Sequence, residues 1–236
     1  MKYAIIAAGE GSRLLKEGAS RPKPLTLVNG VAMIERLIRV FIGNGASSIV
    51  VVINQASSEV DAFLRSLQRE GLPLEIVVKT TPSSMHSFYA LSPLLEGDDF
   101  CLTTVDTIFK EDEFSAYVKA FRSSQADGYM AVTDYVDDER PLYVTTDENL
   151  HIKGFHDEAD GNCKFVSGGV YCLRPSSLEV LAGCVAEGMS RMRNFQRELV
   201  RQGADLVAYP FTKILDVDHV ADIVKAERYL AGKNIL

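Results

Sequence analysis

The chain has 236 residues, 47% hydrophobic and 24% charged, with a formal net charge of −7. That length can bury a core without metals or disulfides, and the composition excludes a disordered or fibrous class. No Lys/Arg block supplies the footprint of a duplex-binding protein and no apolar run reaches the roughly 20 residues that span a bilayer, so neither a nucleic-acid nor a membrane partner is expected.

In chain order, Tyr3 to Ala8 reads as a first strand; as an apolar run it is too short for a signal h-region, and a cytoplasmic location is expected. Directly after it come Gly9 and Gly11, then Arg13, and about ten residues later Arg21-Pro22-Lys23-Pro24. Ile34, Leu37, Ile38, Phe41 and Ile42 then recur at helical spacing, closed by Gly43 and Gly45. Further strands are predicted at Ser48 to Ile53, Leu74 to Lys79, Phe100 to Val105 and Tyr129 to Thr133. Helical stripes lie between them at Val60, Phe63, Leu64 and Leu67, the first of these helices capped by Ser57 or Ser58, and at Phe114, Tyr117, Val118 and Phe121. This alternation is the signature of a parallel sheet with helices on its faces.

The middle changes character. The acidic stretch Asp134 to Glu139 precedes a predicted hairpin, Pro141 to Thr146 with Leu150 to Phe155, and a strand at Phe165 to Leu173. Two helices near Ser176 to Glu187 and Ser190 to Arg201 follow, then a strand around Asp205 to Tyr209. A short strand in KILDVD and a helix from about His219 to Ala231 end the chain. The expectation is one α/β domain over residues 1–236, with an antiparallel, acceptor-side β insertion at about 134–174. The four cysteines, Cys101, Cys163, Cys172 and Cys184, show no C-x-x-C spacing and are expected as reduced, mostly buried thiols.

Gly9 and Gly11 let the backbone turn tightly at a strand end and offer N–H groups to an anion. A dinucleotide fingerprint and a P-loop would each want a glycine where Leu14 stands, so both are excluded. Prolines on either side of Lys23 fix φ at both neighbours, and Lys23 itself is expected to be extended, its ammonium presented from a stiff support. Asp106 follows an apolar strand at the carboxyl end where open α/β sheets bind ligands. Asp216 and Asp218, two apart, share a face if extended.

AAGEGSRL, then RPKPL, then MIERLI resembles the signature of the sugar-phosphate nucleotidyltransferase superfamily, the pyrophosphorylases that make nucleoside-diphosphate sugars and the related bacterial choline-phosphate cytidylyltransferases. The resemblance implies a Rossmann-like mixed, mostly parallel sheet flanked by helices, of the nucleotide-diphospho-sugar transferase type. It implies that a loop of Ala7, Ala8, Gly9, Glu10, Gly11, Ser12 and Arg13 wraps a nucleoside triphosphate, with Arg13 and Lys23 stabilising charge at the reacting phosphorus. It implies Mg²⁺ held by Asp106 and by Asp216 or Asp218, both of which fit the family's late acidic strand, with Asp218 preferred. The implied reaction transfers NMP from an NTP to a phosphorylated small molecule, a sugar 1-phosphate or an amino-alcohol phosphate, and releases pyrophosphate.

TPSSMHSFYAL resembles the serine-rich segment by which cytidylyltransferase-like members hold a pyrimidine, which assigns Ser83, Ser84 and Ser87 to the nucleotide and favours CTP or UTP. Ser83 or Ser84 equally suits a helix N-cap. Gly168 and Gly169 in VSGGVY match the family's glycine-bearing strand and are expected on the acceptor side. The family's Glu-Lys-Pro is replaced by GFHDEAD, so its sugar contacts do not carry over. Lys213 is a candidate phosphate contact or a solvated lysine, and no histidine is required. The alternatives are a non-catalytic nucleotide-binding regulatory relative and an NAD(P)-dependent oxidoreductase; the latter wants an acid closing the second strand, where Ile53-Asn54-Gln55 stands.

Overall fold

The computed structural model describes residues 1–137, 139–159 and 161–232. Strand β1 (Lys2–Ala7) leads through α1 (Ser12–Lys16) and a small hairpin, β2 (Leu27–Val28) and β3 (Val31–Ala32), into α2 (Met33–Gly43). Next come β4 (Ser48–Ile53), α3 (Ser58–Arg69), β5 (Leu74–Val78), α4 (Ser84–Leu95) and β6 (Phe100–Thr104). The chain steps outward from β1 to β4 to β5, all parallel, then returns to pair β6 with the other edge of β1. The strand order therefore reverses between β1 and β6, and the crevice beyond their carboxyl ends is the place where such sheets receive ligands.

The second half comprises β7 (Thr107–Ile108), α5 (Glu111–Arg122), β8 (Gly128–Thr133), β9 (Tyr143–Thr146), β10 (Ile152–His156) and β11 (Phe165–Leu173). It ends with α6 (Ser177–Ala186), α7 (Met192–Arg201), β12 (Leu206–Pro210), β13 (Leu215–Asp216) and α8 (Val220–Leu230). Antiparallel β11 joins the two halves: Val170 to Leu173 pair with β6, Phe165 and Val166 pair with β9, and β8 pairs along its other edge. The β9–β10 hairpin continues the same sheet, and β12 runs parallel to β8. The mixed, mostly parallel sheet with helices on both faces is the fold class that the sequence implies.

Alternation sorts the core. Tyr3, Ile5 and Ala7 of β1 face α2, α3 and α5, whereas Ala4 and Ile6 face α4, α6 and α7. Burial on both faces explains why β1 and β4 read as nearly unbroken apolar runs. A third, smaller cluster joins Leu14, Val28, Met33, Ile108, Leu215, Val217, Ala226 and Tyr229. It packs α1, the β2–β3 hairpin, the β7–β13 pair and α8 together, and these short elements carry the site described below.

Two expectations need adjustment. Ser57 precedes α3, but its hydroxyl makes no capping bond. Lys23 is not extended: it opens a 3₁₀ turn over Lys23–Leu25, closed by Leu25 N–H to Pro22 C=O at 2.8 Å and Thr26 N–H to Lys23 C=O at 3.1 Å. Pro24 falls early in that turn, where no N–H is needed, and its ring is buried; turn and burial outweigh the pre-proline bias towards extended backbone. Cys101, Cys172 and Cys184 are buried free thiols, and Cys163 is half-buried.

The register of β11 against β8 shifts between Ser167 and Tyr171, at Gly168 and Gly169. Tyr117 of α5 reaches this irregularity from below: its hydroxyl accepts from Cys172 N–H at 2.7 Å and donates to Tyr129 C=O at 2.5 Å. Tyr117→Phe removes the hydroxyl that both buried groups use. The expected loss is about 1–3 kcal/mol, read by urea unfolding; an unchanged midpoint would show that the ladder closes without it.

Candidate active site

A cavity of about 490 Å³ opens at the carboxyl ends of β1, β4, β5 and β6. That size suits a small-molecule ligand. Its floor is the segment Ala8 to Arg13. Gly11 has φ +61°, and a Cβ there would stand 2.6 Å from the Cβ of Lys23. Gly9 has nothing within 4 Å of where its Cβ would be. The two glycines thus do different things: Gly9 leaves the floor open, and Gly11 lets Lys23 pack against the turn.

The Lys23 ammonium donates to Asp106 Oδ2 at 2.5 Å and to Asp218 Oδ1 at 2.6 Å. Arg13 Nη1 donates to the other Asp218 oxygen at 3.1 Å. Residues 13 and 23 lie ten apart near the amino end, 106 and 218 come from two distant parts of the chain, and the four formal charges cancel. Asp106 stands between β6 and β7. The Val217 N–H donates to the Asp106 carbonyl at 3.1 Å, so the β7–β13 pair brings both aspartates to one place. Lys23 is only 12% exposed, Asp106 18% and Asp218 41%. Burial opposes the charge on Lys23, but the two carboxylates outweigh it and hold the ammonium above its ordinary pKa.

Around the rim, Ser83 caps α4: its hydroxyl accepts from His86 N–H at 3.4 Å and lies 2.9 Å from His86 Nδ1. Ser87 is buried, 2.6 Å from the Thr81 hydroxyl. Asn54, at the end of β4, donates to Ala8 C=O at 3.3 Å and accepts from Ala56 N–H at 2.9 Å.

Of the residues the sequence singles out, Ala8, Gly9, Glu10, Gly11, Ser12, Arg13, Lys23, Ser83, Ser84, Ser87, Asp106 and Asp218 line this cavity. Ala7 does not, because its side chain points into the core on the α2 side. Asp216 lines a neighbouring cavity of about 230 Å³ with Gly168, Tyr135 and Lys225; Arg13 and Asp218 line both. Gly169, φ +72°, faces the hydroxyls of Thr104 and Thr107 instead. Lys213 stacks its ammonium 3.8 Å from the centre of the Tyr135 ring. The sequence reading missed Asn54, Thr80 and Thr104 as lining residues. Their shared signal is position, since each sits at or just past the carboxyl end of a parallel strand.

Asp106 and Asp218 present hard carboxylate oxygens to one cation, here the ammonium. Mg²⁺ is commonly held by one or two carboxylates together with substrate phosphates, so the donor set fits that ion. Among the described residues no group of three or more His, Cys, Asp or Glu forms a metal cluster. No helix among them is long and apolar enough to cross a membrane.

A family model described as nucleotidyl transferase matches residues 2–232. Over 237 residues the chain is 26% identical to the bifunctional IPC transferase and DIPP synthase of Aquifex aeolicus, an alignment covering 96% of this chain and 51% of that protein. It is 27% identical over 158 residues to the CMP-5'-(3-aminopropyl)phosphonate synthase of Streptomyces rubellomurinus, covering 59% of this chain and 25% of that one. The chain thus spans about half the length, or less, of these curated relatives. Its fold matches the inositol-1-phosphate CTP transferase of T. maritima with a TM-score of 0.81, at 19% identity, over 99% of this chain and 98% of that one.

The unequal surroundings of the two glycines give a paired expectation. Gly11→Ala places a Cβ in left-handed backbone, which costs about 1–2 kcal/mol, and drives it into Lys23; it lowers the melting temperature. Gly9→Ala leaves the melting temperature within experimental error. Equal melting temperatures for the two variants would contradict the packing of Lys23 on Gly11.

Proposed function

Because the chain belongs to the nucleotidyl transferase family, we propose that it transfers NMP from a nucleoside triphosphate, CTP or UTP, to a phosphorylated small molecule and releases pyrophosphate. The observation that carries this reading is the meeting of Lys23 and Arg13 with Asp106 and Asp218 in one cavity, directly above the Gly9–Gly11 turn.

In this reading the triphosphate lies along Gly9 to Arg13, where backbone N–H groups and Arg13 meet it. Lys23 neutralises charge that develops at the α-phosphorus during in-line attack. Once it has moved onto the phosphates, an ammonium in a partly buried site needs little further reorganisation as that charge grows. No strong general base is required, because the attacking phosphate, with a second pKa of about 6, is largely ionised near neutral pH. Asp106 and Asp218 would hold Mg²⁺, which would supply positive charge to offset the repulsion between the reacting phosphates. Asp218, which already touches both Lys23 and Arg13, is the better placed of the two late aspartates for this role; Asp216 faces the neighbouring cavity.

The preference for a pyrimidine rests on Ser83, Ser84 and Ser87 at the start of α4, on the cavity wall. The Streptomyces relative, whose name contains CMP, points the same way. The acceptor would occupy the neighbouring cavity beside Gly168 and Asp216, which opens against the nucleotide side through Arg13 and Asp218. The acidic stretches Asp134 to Glu139 and Asp157 to Asp160 would attract a cationic acceptor such as an amino-alcohol phosphate; Asp138 and Asp160 within them lie outside the described residues.

The test has two arms. A thermal-shift panel of the four NTPs with Mg²⁺ is expected to stabilise the protein most with CTP or UTP. Pyrophosphate release is then measured against a library of sugar 1-phosphates, polyol phosphates and amino-alcohol phosphates. A regulatory relative would bind nucleotide and release no pyrophosphate with any acceptor. Asp106→Asn is expected to lower pyrophosphate release at least a hundredfold at fixed Mg²⁺; unchanged release and unchanged Mg²⁺ dependence would remove Asp106 from the metal.

A further inference from the structure

The Lys23 ammonium occupies one oxygen of each aspartate that would hold a divalent ion. Its nitrogen is 2.5 Å from Asp106 Oδ2 and 2.6 Å from Asp218 Oδ1. Mg²⁺ requires oxygens at about 2.0–2.1 Å. Ammonium and ion therefore cannot occupy the space between these two oxygens together. The lysine is not a loosely solvated side chain that happens to lie nearby: it is 12% exposed, and its stem packs against Gly11, leaving no room for a Cβ there.

We propose that Lys23 is a resident placeholder for the metal, so that the free protein excludes divalent ions from Asp106 and Asp218 until a triphosphate draws the lysine away. The inference rests on the proposed nucleotidyl transfer and adds an order to it.

Charge makes the exchange feasible. In the free protein, Lys23 and Arg13 balance Asp106 and Asp218. An incoming magnesium–triphosphate complex brings both kinds of charge at once. Its phosphates offer Lys23 and Arg13 new partners on the same cavity floor, and the two carboxylates released by the cations become free to hold the ion. Every charge keeps a partner, and no buried carboxylate or ammonium is left alone, the situation that is costly in a partly desolvated site. A bare divalent ion offers only half of the exchange, since it would displace Lys23 without giving the ammonium anything to bind. Metal and nucleotide should therefore enter as a coupled pair, each raising the affinity for the other by the same factor.

The test reads metal binding without catalysis. Mn²⁺ is titrated into the full chain, with no nucleotide, and bound ion is followed by electron paramagnetic resonance. Wild type is expected to bind weakly. Lys23→Met, which keeps the stem and removes the charge, is expected to tighten Mn²⁺ binding at least tenfold. Lys23→Arg, which keeps a cation, is expected to stay within threefold of wild type. Combining Lys23→Met with Asp106→Asn should abolish the gain, and this places the ion on the pair.

Thermal melts guard against a misfolded variant. Lys23→Met should melt lower than wild type without metal and recover more on adding Mn²⁺ than wild type does. Equal Mn²⁺ affinity in wild type and Lys23→Met, or tight binding by nucleotide-free wild type, would overturn the placeholder. Neither result would touch the proposed reaction, which stands or falls on pyrophosphate release by wild type.

Discussion

The candidate site depends on one contact: a single ammonium held between two carboxylates that are 112 residues apart in the chain, Asp106 and Asp218, with Lys23 more distant still from either end of the late strand. Two like charges brought this close need a cation between them, because their repulsion grows as water is excluded. The surrounding structure can be understood as the means of holding that trio in place. Gly11 makes room for the lysine stem, the 3₁₀ turn fixes its backbone, and the hydrogen bond from Val217 to the Asp106 carbonyl ties the two acidic segments together.

The large sheet does only part of this work. It delivers the Gly9–Gly11 turn and Asp106 to neighbouring strand ends, because β1 and β6 are adjacent and parallel. It does not deliver Lys23 or Asp218. Those arrive on short elements that have little regular structure of their own, and the small apolar cluster of Leu14, Val28, Met33, Ile108, Leu215, Val217, Ala226 and Tyr229 holds them. Position within the site is thus set by a satellite core rather than by the two main layers. Damage to Val217 or Leu14 would disturb the charges while the sheet stayed intact.

Legibility in the sequence followed the same division. β4 and β11 were bounded in the sequence as they are in the structure, because a continuous apolar run flanked by polar turns leaves little choice. The hairpin β2–β3, at two residues a strand, has too few residues to show any period, and so does α1. Lys23 was expected to be extended because the pre-proline rule is local; what decided its backbone was the burial of Pro24, which no local rule contains. Ala7 was assigned to the ligand along with its neighbour, although strand alternation sends it into the core and turns only Ala8 to the cavity. Asn54 carries no residue-type signal of its own, and only its place at the end of a parallel strand puts it on the cavity wall.

The second cavity extends this logic. Arg13 and Asp218 line both cavities, and Arg13 also lies 3.8 Å from Glu139, on the segment that precedes the β9–β10 hairpin. Glu139 is 70% exposed, so solvent screens this pairing and it adds little to stability. Its consequence is geometric: a guanidinium shared between Asp218 and Glu139 touches both cavities at once. Any ligand that takes Arg13 must also reset the charge next to Gly168 and Asp216. A cavity whose wall is shared in this way cannot be filled on one side without altering the field on the other, and this couples the two halves of the site without any movement of the main sheet.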